Sequence, residues 1–147
     1  MQTPAQFIRG IRHPEAFHGE GRESGFFEGW YIKLVSADLK HRWAVIPGVF
    51  LGLGGSKTSE AFIQMLDGST GKSWYHRFEL DEFRAANDRF EVRIGSNLFS
   101  SSGVTLDLPQ LKGRITFTTP LDPWPVTLSA PGIMGWFAAV PFMECFH

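Results

Sequence analysis

Residues 26–36 read FFEGWYIKLVS, and this stretch is the strongest indication of the fold. Successive side chains of a β-strand point to opposite sides, so its alternate positions define two faces. One face carries Phe26, Glu28, Trp30, Ile32 and Leu34, and the other carries Phe27, Gly29, Tyr31, Lys33 and Val35. Both faces are mainly apolar, which is typical of a strand covered on both sides. In a barrel, this pattern predicts a pocket inside and another element packed outside.

Shorter segments downstream repeat the two-residue alternation of a half-buried strand. They are residues 74–80, 90–94, 104–108 and 114–118. Turn-forming residues at Asp67–Lys72 and Ser100–Gly103 predict the connections between strands. Pro47-Gly48 predicts a bulge or a sheet corner within an apolar strand. Helix is scarce, with two turns predicted over residues 80–86, so the pattern as a whole favours an antiparallel β-barrel or sandwich.

The length and charge of the chain narrow the class of protein. Its 147 residues predict a single domain over residues 1–147. With 14 Lys and Arg against 15 Asp and Glu, the net charge of −1 argues against a nucleic-acid partner. One cysteine, Cys145, rules out an intramolecular disulfide and favours a reducing compartment. We expect a cytoplasmic protein that at most lies peripherally against a membrane surface, since no apolar run approaches the ~18 residues of a spanning helix.

Sequence motifs for nucleotide and metal sites are absent from this chain. The stretches around Lys57 and Lys72 resemble a Walker A loop, but Leu51 and Leu66 stand where its first glycine is required. The five histidines match no zinc-ligand spacing on a helix or in a knuckle. The sequence therefore predicts no metal and no cofactor.

Two carboxylates lie in aromatic surroundings and are the candidate catalytic residues. Glu28 follows two phenylalanines and precedes Gly-Trp-Tyr, and Glu144 lies in PFMECF. Desolvation disfavours the charged form of a carboxyl, so such a group can hold a proton near neutral pH and act as a general acid. The alternative, which the sequence favours for each glutamate, is a structural pair with Lys33, Arg42 or another cation. Neighbouring aromatic rings either stabilise a carbocation or form plain core.

Five motifs carry a resemblance to a known family. They are FFEGWYIK (26–33), AVIPGV (44–49), AFIQ (61–64), FEVRIGSNLFS (90–100) and PGIMGWFAAVPFMECFH (131–147). In order and spacing they resemble the tocopherol cyclase family, and more closely its bacterial members of unassigned function. The resemblance covers nearly the whole chain.

The resemblance implies a lipocalin-like β architecture in two halves, of which residues 1–147 would be the first. Plant and cyanobacterial members close a chroman ring on a prenylated quinol, which implies an apolar isoprenoid ligand and an isomerase-type intramolecular cyclase in the full-length protein. Glu28 or Glu144 would supply the proton. The apolar walls would come from Trp30, Tyr31, Trp136 and Phe137.

Other readings of the sequence stay open beside this one. The chain ends in an apolar run, Pro141–His147, which we expect either to be cut within an element or to dock against something else. Its partner would be a second β-domain or another copy of the chain. The domain is then a cyclase, a non-catalytic carrier of an apolar ligand, or a β-scaffold.

Overall fold

A computed structural model describes residue 13, residues 15–121 and residue 127 of the chain. In this part the protein is all-β, with ten strands and two short 3-10 turns at Gly55–Thr58 and Leu80–Glu82. The strands are β1 (Phe26–Gly29), β2 (Ile32–Val35), β3 (Arg42–Leu51), β4 (Glu60–Asp67), β5 (Ser73–Phe78), β6 (Phe83–Ala85), β7 (Glu91–Ile94), β8 (Asn97–Ser100), β9 (Gly103–Asp107) and β10 (Lys112–Thr116). Within the same described residues, no helix is long and apolar enough to cross a membrane.

The strands form two antiparallel sheets of five strands each. In sheet 1, β1 and β2 both pair with β3, which is followed in order by β4 and β5. Sheet 2 runs in sequence order from β6 to β10. The predicted antiparallel all-β fold is confirmed. Because the pairing runs within two separate sheets, a closed lipocalin-like barrel stays a prediction.

Pro47 explains why β1 and β2 are two strands rather than one. Phe26 pairs with Leu51 and Val35 pairs with Arg42, so β1 and β2 share one register along β3. At the interruption, Trp30 donates its backbone N–H to Pro47 O at 2.9 Å, but proline has no N–H to return. The pairing of β3 with β4 is continuous through Pro47. The predicted bulge or corner at Pro47-Gly48 is therefore wrong, and the proline removes only a ladder bond.

The inner faces of both sheets contribute to one hydrophobic core. Sheet 1 supplies Val45, Val49, Ile63 and Met65 among others, and sheet 2 supplies Val92, Ile94, Phe99 and Val104. The alternation predicted for residues 90–94 and 104–108 is confirmed by these buried side chains. A polar bond also links the sheets, between His76 Nε2 in β5 and Gln110 Oε1 in the β9–β10 connection, at 2.8 Å.

The outer face of sheet 1 is exposed, contrary to the expectation that both faces are covered. Phe27 is 65% exposed and Tyr31 is 66% exposed. Phe62 lies between Phe27 and Tyr75, with ring centroids 5.8 and 5.3 Å apart and nearly parallel planes. Its ring crosses β3 over Gly48, where a side chain would meet it. Phe27, Phe62 and Tyr75 thus form a surface row of aromatic rings, here called the aromatic row.

The short connections follow the predictions, with one exception. Asp67–Lys72 joins β4 to β5 and Ser100–Gly103 joins β8 to β9, as predicted. Residues 80–86 do not form two helical turns. A single 3-10 turn at Leu80–Glu82 leads directly into β6, because Phe83 is buried in the core and pairs with Ile94.

Candidate functional site

The candidate site is built on Glu28, which β1 directs to the inner side of sheet 1. Glu28 pairs across the sheet with Val49, whose side chain belongs to the core. Along β1, Phe26 and Glu28 are half-buried while Phe27 and Gly29 are exposed. The predicted division of the strand into two faces is therefore confirmed here, and it brings a carboxylate to the edge of the apolar core.

His18 is the partner of Glu28. His18 Nδ1 lies 2.5 Å from Glu28 Oε1, and the backbone N–H of His18 donates to Glu28 Oε2 at 3.0 Å. The two side chains are only 7% and 13% exposed. Both oxygens of the carboxylate thus accept bonds from a single residue, which satisfies the carboxylate in a place that water scarcely reaches.

The hydrogen bonds of His18 fix how many protons the pair holds. His18 Nε2 lies 3.2 Å from the backbone oxygen of His13, which can only accept, so this bond requires a hydrogen on Nε2. The short contact between Nδ1 and the carboxylate requires one further proton between them. This proton can be drawn on Nδ1 or on the carboxylate, and in either case it lies between the two side chains.

Aromatic rings surround the pair on the inner side. Phe17, next to His18, contacts three of them, with centroid distances of 5.9 Å to Phe26, 6.4 Å to Trp30 and 5.4 Å to Phe83. Phe90 lies 6.3 Å from Trp30. These rings create an apolar environment in which a proton donor is shielded from water.

Residues 15–20, here called the N-terminal segment, hold the pair between the two sheets. Trp30 Nε1 donates to the backbone oxygen of Glu15 at 3.0 Å, which ties the segment to the edge of sheet 1. The backbone N–H of Phe17 donates to Ala86 O at 3.0 Å, just beyond β6 of sheet 2. Gly19 permits the close approach, because a Cβ there would lie 2.4 Å from ring atoms of Phe17 and Phe26.

The other predicted site residues are placed differently. The partner of Glu28 is His18 rather than Lys33 or Arg42. Trp30 lies on the same face as Glu28, whereas Tyr31 is exposed on the opposite face. The predictions for Trp136, Phe137 and Glu144 fall outside the described residues.

His18 is the site residue that the sequence analysis missed. It lies ten residues before Glu28 in a segment without strand periodicity, so no local pattern connects the two. The one feature of the sequence that could have pointed to it is His18 beside Gly19, ten residues before Glu28 in an apolar strand. That signal indicates a partner only once the path of the chain is known.

A second polar cluster lies on the outer face of sheet 1, beside the aromatic row. The hydroxyl of Tyr75 donates to Glu60 Oε1 at 2.5 Å, and the Arg77 guanidinium pairs with the other oxygen of that carboxylate. Partial burial, together with the hydrogen bond to Glu60, raises the pKa of Tyr75 to about 12 from an ordinary value of 10.0.

This cluster predicts a loss of stability at alkaline pH. Folding raises the pKa of Tyr75, so the contribution of its neutral form is complete below pH 10 and is lost as the pH rises toward 12. We expect Tyr75→Phe to lose less stability than the wild type between these pH values, as measured by urea denaturation. Glu60→Gln should lower the pH at which Tyr75 is half ionised, as followed by the absorbance of tyrosinate at 295 nm. Identical alkaline profiles for wild type and Tyr75→Phe would contradict this assignment.

Comparisons with known proteins do not extend these observations. No family model, no curated protein and no solved structure matches the chain. Among the residues that the structure describes, no group of three His, Cys, Asp or Glu side chains is placed to hold a metal ion. The class that the fold and the site define is an all-β domain of two antiparallel sheets, with a buried histidine–glutamate pair.

Proposed function

We propose that this chain belongs to a tocopherol cyclase-like protein that binds an apolar isoprenoid-type ligand beside Glu28 and Trp30. The proposal includes a lipocalin-like architecture, a second β-domain and an intramolecular cyclase activity in the full-length protein. The observation that carries it is the 2.5 Å contact between His18 Nδ1 and Glu28 Oε1, in which both side chains are nearly buried. A cyclase of this type needs a shielded proton donor and an apolar wall around it.

The proposed reaction is an isomerisation without redox change. The pair donates its proton to the less substituted carbon of a prenyl double bond, and the π electrons form the new C–H bond. The tertiary cation left on the neighbouring carbon is stabilised by aromatic faces such as that of Trp30. The phenol oxygen of the quinol then attacks this carbon, closes the ring and returns its proton to the pair.

The His18–Glu28 pair is suited to this role because its hydrogen bonds leave one proton for transfer and its neighbours shield it from water. Nε2 is held by the oxygen of His13, so the proton available for transfer is the one between Nδ1 and the carboxylate. The ring of Phe17 lies against Trp30 and Phe26. A ligand that reaches the pair must therefore displace Phe17 or enter past the N-terminal segment.

A second candidate function is that of a non-catalytic carrier or structural domain. It is favoured by the fact that both oxygens of Glu28 are already satisfied by His18. In that case the pair fixes the N-terminal segment and moves no proton. Binding of an apolar ligand, or docking of another domain, would then be the function.

Ligand titration followed by tryptophan fluorescence separates these functions. The probes are a prenylated quinol and a long-chain fatty acid of similar length. We expect saturable binding that favours the quinol. Trp30→Ala should bind it about 5- to 150-fold more weakly, because an aromatic wall contributes roughly 1–3 kcal/mol. Glu28→Gln should retain binding and lose ring closure, as followed by chromatography of the product.

A control variant identifies the source of the fluorescence change, and the binding results separate the two candidate functions. Trp43 and Trp74 stack on each other with ring centroids 6.0 Å apart. Comparison of Trp74→Phe with the wild type therefore shows how much of the fluorescence change comes from this pair rather than from Trp30. Equal binding of both probes, with no effect of Glu28→Gln on any turnover, would favour the carrier. Failure of the prenylated quinol to bind would contradict the proposed ligand class.

A further inference from the structure

Two arginines face each other across neighbouring strands of sheet 2. Arg84 in β6 and Arg93 in β7 are direct cross-strand partners, so their side chains leave the same face. Like charges in this arrangement destabilise a sheet. An arrangement that costs stability in this way often marks a functional site, because the requirement to bind a ligand there outweighs the loss of stability. An anion bound between or above the two guanidinium groups would offset their repulsion.

The two arginines line a recess of about 210 Å³, together with Ala85, Ala86 and Glu91. This volume is sufficient for a tetrahedral anion and its solvent. The Glu91 carboxylate is engaged by Arg89, whose Nε donates to it at 3.3 Å. The two cations of the lining thus outnumber its one carboxylate.

Arg84 is held in position with most of its donors free. Its Nη1 donates to the backbone oxygens of Asp81 and Phe83 at 2.8 and 2.7 Å. A guanidinium has five N–H groups, so those on Nε and Nη2 remain for a ligand. This edge of the guanidinium is suited to two parallel bonds with a phosphate or a carboxylate. Bonds to backbone oxygens reduce the side-chain entropy that binding would otherwise remove.

The guanidinium group of Arg93 has no hydrogen bond or ion pair to any residue that the structure describes. The same cross-strand row continues through Leu98 and Thr105 to Arg114 in β10. Three arginines and no acidic residue therefore lie along this row. The row is therefore positive on a chain whose net charge is −1.

We propose that the recess between Arg84 and Arg93 binds a phosphate group. Phosphate presents several oxygens and up to two negative charges, which matches two guanidinium groups better than a single carboxylate does. The phosphate belongs either to a soluble phosphoester or to a lipid headgroup. This site lies on the outer face of sheet 2 and does not depend on the proposed cyclase chemistry.

The test uses pyrophosphate in calorimetry, and phosphatidylcholine vesicles with and without phosphatidic acid in co-sedimentation. The principal variant is Arg93→Gln, which removes no side-chain hydrogen bond or ion pair within the described part of the chain. Arg114→Gln is the matched control, because it lies in the same row outside the recess. We expect saturable binding that weakens with added salt. Arg93→Gln and Arg84→Gln should each weaken it at least tenfold, and Arg114→Gln less than twofold.

The outcomes distinguish the source of the phosphate. Binding of pyrophosphate without co-sedimentation supports a soluble ligand. Co-sedimentation that requires phosphatidic acid and Arg93 supports a lipid headgroup. Absence of binding to both probes overturns the proposal, as does binding that Arg93→Gln leaves unchanged or that Arg114→Gln weakens equally. Circular dichroism of each variant verifies that the fold is retained.

Discussion

Glu28→Ala is expected to reduce the free energy of unfolding by about 3–5 kcal/mol, the loss seen when one member of a buried ion pair is removed. His18 would keep a buried ring nitrogen and a backbone N–H whose acceptors are gone. Glu28→Gln keeps an oxygen that can accept from the backbone N–H of His18. Its expected loss is smaller, about 1–2 kcal/mol. Urea denaturation followed by far-ultraviolet circular dichroism measures both.

The chain supplies a matched control for this experiment. His13 and Glu15 form a second histidine–glutamate pair at 3.2 Å, but their side chains are 49% and 47% exposed. Exposed pairs contribute about 0–1 kcal/mol, so Glu15→Ala should be nearly neutral. The bond from Trp30 to the backbone oxygen of Glu15 does not depend on that side chain. Equal effects of Glu28→Ala and Glu15→Ala would contradict the assignment of a buried, tightly coupled pair.

Gly48→Ala is expected to destabilise the fold by about 3 kcal/mol, at the upper end of the range for overpacking. A Cβ at this position would lie 2.3 Å from the ring of Phe62 and 2.7 Å from the backbone oxygen of Glu28. The ring cannot yield easily, because it is stacked between Phe27 and Tyr75. The carbonyl cannot yield without shifting β1, which carries the candidate site.

Gly29 pairs directly with Gly48 and provides the control. A Cβ at Gly29 would have its nearest neighbour, the backbone oxygen of Pro47, at 3.4 Å, which is an ordinary contact. Gly29→Ala should therefore change stability by less than about 0.5 kcal/mol. The double variant Gly48→Ala with Phe62→Leu should be less destabilised than the sum of the single changes. Thermal unfolding of the wild type, the three single variants and the double variant compares them, and similar midpoints for Gly48→Ala and Gly29→Ala would refute the close contact.

The alternation in residues 26–36 predicted which side chains turn toward the core, because the two-residue period of a strand is a local property. It could not predict that the outer side is exposed. An apolar side chain favours burial, but whether another element covers it depends on the rest of the fold. Phe27 and Tyr31 are therefore oriented as predicted and exposed contrary to expectation.

Tertiary contacts also explain the failures at residues 80–86 and at Pro47. LDEFRAA contains good helix formers, but burial of Phe83 and its pairing with Ile94 outweigh that propensity. Pro47 usually argues against a central strand. It is tolerated here because its missing N–H falls on the side of β1 and β2, and not on the side of β4.

Of the candidate site, the sequence predicted the buried carboxylate and its aromatic neighbour Trp30. The apolar environment of Glu28 is set by the residues next to it in the strand, so it could be inferred from the sequence around it. Its partner could not be, because the path of residues 15–20 depends on contacts with both sheets. The anion recess was likewise invisible, since Arg84 and Arg93 become neighbours only through the register of β6 and β7.

The order of strands in the two sheets has a consequence for how the chain folds. Apart from the interruption at Pro47, neighbours in each sheet are neighbours in sequence. Each pairing therefore closes only a short loop, and the entropy lost before the contact forms is small. Folds with such local contacts form faster than sandwiches that join distant strands. We infer that each sheet assembles as a unit, and that the slow step is the joining of the two sheets through their common core.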